Sequence, residues 1–184
     1  MSVKKTITDR RAYRSLEPFN VTDDLIYDLA ECAGLSSSCF NNQPWRYVFV
    51  YDEDMLKNLH TALSKGNEWA YDASMIIAVF SKKDLDCVVA GREYFLFDTG
   101  MSTAFLILRA TELGLVVHPM AGFSESKAKE VLGIPEDMTL ISLLAVGKKA
   151  REINDNLNDK QKESELSRPE RLGFDQYVFL NQFS

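Results

Sequence analysis

The chain has 184 residues, 46% of them hydrophobic and 26% charged, with a net charge of -6 and a pI near 5.0. That is enough apolar material for one globular domain with a real core. The acidic balance argues against a general nucleic-acid or anionic-membrane binder, which needs a basic face.

Positive charge is concentrated at the start, where Lys4, Lys5, Arg10, Arg11 and Arg14 face only Asp9 and Glu17. Thr8 is positioned to cap a short helix running through Arg14, and Glu17-Pro18 then forces extended backbone. Thr22, followed by two acids, caps a second helix whose apolar stripe is Leu25, Ile26, Leu29, Ala30 and Ala33, ended by Gly34. A loop of small and polar residues, Ser36 to Trp45, leads to a strand over Tyr47 to Tyr51. A helix from Asp52 or Glu53 to about Leu63 stops at Gly66. Met75 to Phe80 is a continuous apolar run of the length of a buried central strand.

Gly91 to Leu113 reads as one long helix, apolar nearly all round and so covered on several sides, by its own core or by another subunit. Its span, Tyr94 to Leu115, is broken by Asp98, Arg109 and Glu112 and is no membrane span. Leu115 to Val117 is a short strand, Ser124 caps a helix ending at Gly133, and Leu140 to Val146 is another buried strand. Residues 148–171 are polar and surface-bound. Apolar character returns at Phe174 to Phe183, as in an arm that docks again, reaching across a partner. Cys32, Cys39 and Cys87 are odd in number and form no CxxC pair, so a disulfide scaffold is not expected and a reducing cytoplasm is the simplest home.

Three places could carry chemistry. Arg10, Arg11 and Arg14 could share one turn of a helix and hold a phosphate, since arginine offers a rigid fork of donors; the alternative is a solvated basic helix. The loop Ser36-Ser37-Ser38-Cys39-Phe40-Asn41-Asn42-Gln43-Pro44-Trp45 holds amides but no nucleophile or general base in a known motif, which points to binding; the alternative is a polar turn. His118-Pro119-Met120-Ala121-Gly122-Phe123 lets backbone approach a ligand closely, or is simply a turn before the Ser124 cap. Two histidines without metal-ligand spacing give no zinc site, and no metal is expected.

Taken in order, these segments resemble the FMN-dependent nitroreductase family. Arg-Arg-x-x-Arg opens the chain and Ser-x-x-Asn-x-Gln-Pro-Trp follows a helix later. Asp98-Thr99-Gly100, Ala110-Thr111-Glu112-Leu113-Gly114-Leu115, Gly122-Phe123, Leu132-Gly133-Ile134-Pro135 and Arg168-Pro169-Glu170-Arg171-Leu172 continue the likeness. The resemblance implies an α+β fold with a mixed, largely antiparallel central sheet flanked by helices. It implies one FMN-binding domain over 1–184, in a homodimer whose 148–184 segment is an arm packing on the partner subunit.

The cofactor-binding set it implies is Arg10, Arg11, Ala12, Arg14, Ser37, Ser38, Asn41, Asn67, Ala121, Gly122, Arg168 and Arg171. Within that set, Arg10 and Arg11 meet the FMN phosphate or ribityl chain, with Arg171 closing the phosphate site and Arg168 next in line. Arg14 reaches the N1/O2 edge of the ring; Ser37, Ser38 and Asn41 reach its pyrimidine side from the other subunit, with Asn67 a further candidate. Ala121 and Gly122 give backbone near N5. Ala12 stands where a serine is common, and His118-Pro119 stands where a small polar residue and Trp are expected. The implied activity is hydride transfer from NADH or NADPH through flavin N5 to a nitroaromatic, quinone or related acceptor, by a ping-pong mechanism with no protein acid or base. The alternatives are a specialised flavin reductase or dehalogenase-like member of the fold, a flavin-binding protein with little turnover, and an acidic dimeric scaffold with no cofactor.

Overall fold

The computed structural model describes residues 2–183. Its centre is β3 (Met75–Ser81), every residue of which is buried. The strand pairs antiparallel with β2 (Arg46–Val50) and with the eleven-residue β7 (Thr139–Lys149). Strand β7 also pairs antiparallel with β6 (Leu115–Met120) and, at its C-terminal end, with β1 (Leu16–Glu17). The expected α+β sheet flanked by helices is therefore present, and its pairings within the chain are all antiparallel.

The continuous apolar run of β3 follows from cover on both faces, because side chains alternate along a strand. Ile76, Ala78 and Phe80 enter one core with Leu56, Leu59 and Trp69. Met75, Ile77 and Val79 enter another with Leu29, Ala33, Leu106 and Ala110. The first core is closed by α3 (Glu53–His60) and α5 (Glu125–Leu132), the second by α2 (Asp23–Gly34) and α4 (Phe95–Glu112). Local signals fix these ends: Thr22, Asp52 and Ser124 each accept a backbone N–H at their helix starts, and Gly133 ends α5 in the left-handed region that suits glycine.

Four local expectations are corrected. Helix α1 (Val3–Asp9) ends before the arginines rather than running through them. Ser2 is its cap, while the Thr8 hydroxyl donates back to the Lys4 carbonyl at 2.8 Å. Helix α4 starts at Phe95, because Ala90 and Gly91, both at positive φ, turn a small hairpin of β4 (Val88–Val89) and β5 (Arg92–Glu93). The polar 148–171 stretch contains a further helix, α6 (Asp159–Leu166), secured by a reciprocal cap between Asn158 and Gln161.

Cys39 and Cys87 are joined as a disulfide across 48 residues of chain, with Cα atoms 6.0 Å apart, and Cys32 is free. The amide loop is what delivers Cys39. The Asp98 carboxylate at the start of α4 accepts the Cys39 N–H at 2.6 Å, and Asn42 Nδ2 lies 3.3 Å from Asp86 Oδ1.

The outer face of α4 leaves Leu96, Phe97, Phe105 and Leu113 exposed. The C-terminal segment does not dock on its own chain: Phe174, Leu180 and Phe183 are all more than three-quarters exposed. No helix among the described residues is long and apolar enough to cross a membrane.

Candidate functional site

After α1 the chain runs without helix or strand from Arg11 to Ser15, and α6 lies alongside it. The buried Glu165 carboxylate accepts the backbone N–H groups of Arg14 and Ser15 at 2.9 and 3.2 Å. Both donors sit in one non-helical segment and have no ladder partner there, so Glu165 satisfies what the fold would otherwise leave bare. Beyond α6 the chain returns, and Arg168 donates to the Thr8 and Arg10 carbonyls, each at 2.6 Å.

This stitching forms a pocket of about 220 Å³ walled by Arg10, Arg11, Arg14, Arg168 and Arg171, with Ala12, His118, Ser164 and Pro169. The expected arginines are thus brought together by an extended strap and a return segment, not by a helical turn. Their duties differ. Arg11 donates to the Ser164 and Ser167 carbonyls at 2.8 and 2.7 Å and lies 4.5 Å over the Tyr13 ring. Arg14 donates to Ser164 Oγ at 3.0 Å and approaches the Trp69 ring at 5.9 Å. The guanidinium groups of Arg10 and Arg171 make no hydrogen bond to any described residue.

None of the five arginines forms an ion pair with a carboxylate among the described residues. Burial, then Arg168 and Arg171, push the Arg10 pKa down, although a guanidinium stays charged throughout. Five like charges around one pocket, none of them paired with a carboxylate among the described residues, can hold an anion.

A second group of expected residues meets beside it. Asn67 Nδ2 donates to the Gly122 carbonyl at 2.8 Å, and the Ser64 N–H donates to the same oxygen at 2.9 Å. Gly122 leaves room for this contact, since a Cβ would lie 2.6 Å from Asn67 Nδ2 and push the amide aside. Asn67 Oδ1 accepts the Trp69 indole N–H at 3.2 Å, and the Trp69 ring lies 4.5 Å from that of His118, which lines the arginine pocket. Trp69 therefore links the amide and glycine corner to the basic pocket. Ala121, next to Gly122, is exposed.

Ser37, Ser38 and Asn41 are not part of this wall. They sit on the loop bound to α4, where Ser38 Oγ accepts the Gln43 N–H at 2.9 Å and Phe40, Asn41 and Gln43 adopt positive φ. Within one chain the two halves of the expected set stay apart. Ser164 lines the pocket while Trp69 and Glu165 brace it, and none of the three belongs to the expected set. Only the Asn67-x-Trp69 spacing hinted at the tryptophan, and nothing local marked the others.

Cys39, Asp86 and Cys87 also lie together, but the two sulfurs are bonded to each other and offer no thiolate. Burial, helped by Asp86 and opposed by the Cys39 N–H, raises the pKa of the Asp98 carboxyl beside them.

The sequence model of the Nitroreductase family matches residues 7–68 and 56–148. The chain belongs to the nitroreductase family. A protein of Archaeoglobus fulgidus, provisionally named an NADH dehydrogenase/NAD(P)H nitroreductase, is 30% identical over 149 residues, covering 78% of this chain and 83% of that protein. Among solved structures, one described as an oxidoreductase containing FMN superposes with a TM-score of 0.85 at 23% identity, over 100% of this chain and 94% of that one. A nitroreductase, also provisionally named, from Exiguobacterium sibiricum in complex with FMN superposes with a TM-score of 0.80 at 20% identity, over 98% of each chain. At these identities the two structures establish the nitroreductase fold, which the antiparallel sheet and flanking helices described above share.

Proposed function

We propose that this nitroreductase-family chain binds FMN and works as an oxidoreductase that takes electrons from NAD(P)H and passes them to a nitroaromatic, quinone or related small-molecule acceptor. The observation that carries the reading is the convergence of Arg10, Arg11, Arg14, Arg168 and Arg171 on one pocket with no carboxylate paired to them. Bound FMN would supply the hydride chemistry between nicotinamide and acceptor.

The chain's own residues bind and orient. Arg10 and Arg171, whose guanidinium groups are unengaged, hold the phosphate. Arg11 and Arg168 are committed to carbonyls and build the cradle around Ala12. Arg14, directed toward Trp69, places a cation at the electron-rich ring edge, the preorganised electrostatics expected of such a site. Asn67 fixes the Gly122 carbonyl, so that the backbone at Ala121 and Gly122 offers hydrogen bonds at a set position.

Ser37, Ser38 and Asn41 reach the ring from a second copy, so the working form is a homodimer. The exposed apolar face of α4 supports that assembly, as does the exposed 172–183 end of the expected 148–184 arm, whose earlier part bonds instead to its own chain through Asn154, Glu165 and Arg168. A cytoplasmic location is proposed with the family reading. Cysteine count no longer supports it, because Cys39 and Cys87 are paired.

The test is direct. Purified protein should show a flavin absorption spectrum, release FMN on heating, scatter light as a dimer, and oxidise NADH or NADPH when given a quinone. A colourless protein that takes up no added FMN overturns the reading. Tight FMN binding without NAD(P)H oxidation leaves a flavin-binding protein instead.

A further inference from the structure

The arginine pocket has one wall side chain with an unpaired acceptor atom. His118, on β6, is 9% exposed and lines the pocket. Its Nδ1 lies 3.1 Å from the Tyr13 carbonyl. A carbonyl oxygen can only accept, so Nδ1 carries the proton, and in a neutral ring Nε2 then holds a lone pair.

The ring is neutral at physiological pH. Burial is the main cause of its pKa falling to about 4; the Tyr13 carbonyl and Glu165 oppose that, and Arg14 and Arg10 add to it. Nε2 has no hydrogen-bond partner among the described residues. Nor is it among the buried unpartnered atoms, which are His60 Nε2, Asp86 Oδ2 and Thr99 Oγ1, so its exposure is to the pocket.

The donors around Nε2 are already committed: Arg11 and Arg168 to backbone carbonyls and Arg14 to Ser164 Oγ, which leaves Arg10 and Arg171 for the anion. Guanidinium groups are donors only. Ser164 Oγ already accepts from Arg14 and donates to the Gln161 carbonyl at 2.7 Å. A phosphate dianion satisfies the arginines, yet it brings no proton for the imidazole. A hydroxyl on the carbon chain next to the phosphate does.

We infer that His118 Nε2 is the acceptor for a ligand hydroxyl, so that the pocket selects phosphate monoesters of a polyol over phosphate esters without hydroxyls. The inference rests on the proposed FMN reading and adds to it a group that reads the ribityl chain rather than the phosphate or the ring.

Calorimetric titration with two probes of equal carbon count, ribitol 5-phosphate and n-pentyl phosphate, tests it. Wild type should bind the polyol ester about tenfold more tightly, the size of one good hydrogen bond. His118→Phe keeps a ring against Trp69 but has no acceptor, so it should bring the ratio near one and leave pentyl phosphate unaffected. An unchanged ratio in His118→Phe overturns the inference, as does equal binding of both esters by wild type. Failure of both esters to bind overturns the anion-pocket reading itself, a separate result. Should the variant not fold, 15N spectra of wild-type imidazole decide: Nε2 should shift with ribitol 5-phosphate and stay fixed with pentyl phosphate, and no shift with the polyol ester refutes the assignment.

Discussion

Asn67 Nδ2 donates to the Gly122 carbonyl at 2.8 Å, tying together two loops 55 residues apart in sequence. The same amide accepts the Trp69 indole N–H through its oxygen, so it cannot turn away without losing both bonds. A methyl at position 122 would meet Nδ2 at 2.6 Å. Gly122→Ala should therefore cost about 1–3 kcal/mol, two neutral hydrogen bonds at roughly 0.5–1.5 kcal/mol each. In an Asn67→Ala background the same substitution should cost far less. Urea unfolding of the four proteins in this cycle measures the coupling, and additive costs would show that the clash is relieved some other way.

The five arginines should separate into two behaviours. Arg11→Ala removes donors from the Ser164 and Ser167 carbonyls and should lower stability by about 1–3 kcal/mol even without ligand. Arg10→Ala removes a charge crowded by Arg168 and Arg171 and should leave apo stability unchanged or slightly raised. Its FMN affinity should fall at least about tenfold, with riboflavin, which has no phosphate, little affected. Thermal unfolding without ligand, followed by titration with both flavins, distinguishes the two. Equal loss of riboflavin and FMN in Arg10→Ala would place that side chain elsewhere.

Helix α2 and strand β3 were legible in the sequence because their causes are local: a threonine cap with acids behind it, and an apolar run of strand length. Helix α6 was not, since its sequence Asp-Lys-Gln-Lys-Glu-Ser-Glu-Leu has no apolar stripe and is held by the Asn158 cap and by Glu165. The arginines were legible as a group while their conformation was misread. The strap is extended because Arg14 and Ser15 spend their N–H groups on Glu165, 150 residues on, which no window of sequence contains. Pairing of Cys39 with Cys87 was hidden for the same reason.

Acid should destabilise the fold through His118. Its pKa in the folded protein is about 4, against 6.5 when unperturbed. Between those values the unfolded chain holds the extra proton, so stability is full above pH 6.5 and declines as pH falls toward 4. The loss between pH 7 and pH 5 should be about 2 kcal/mol. Burial pushes His60 in the same direction, so His118→Phe is the control. Urea midpoints at the two pH values should converge more closely in the variant. Identical pH dependence in both proteins would assign the effect to other groups.

The Cys39–Cys87 bond closes a loop of 48 residues. In the chain-entropy account such a cross-link contributes about 4 kcal/mol through the unfolded state. Mass spectrometry without reductant should find these two cysteines joined and Cys32 alkylatable. Reduction should lower the unfolding temperature. A Cys39→Ser variant should match the reduced wild type and become insensitive to reductant; if the oxidised and reduced proteins melt alike, the bond carries no stability.

Arg168 is bonded to the carbonyls of Thr8 and Arg10, and Glu165 to the amides of Arg14 and Ser15. The basic pocket is thus written in two passages separated by some 150 residues, one translated near the beginning and one near the end. Every strand of the sheet and every buried residue of the two cores precedes the second passage. A chain that ended short of residue 165 would keep its apolar strands but lose Glu165, Arg168 and Arg171. Loading with the proposed FMN would consequently report a full-length chain as well as a folded one.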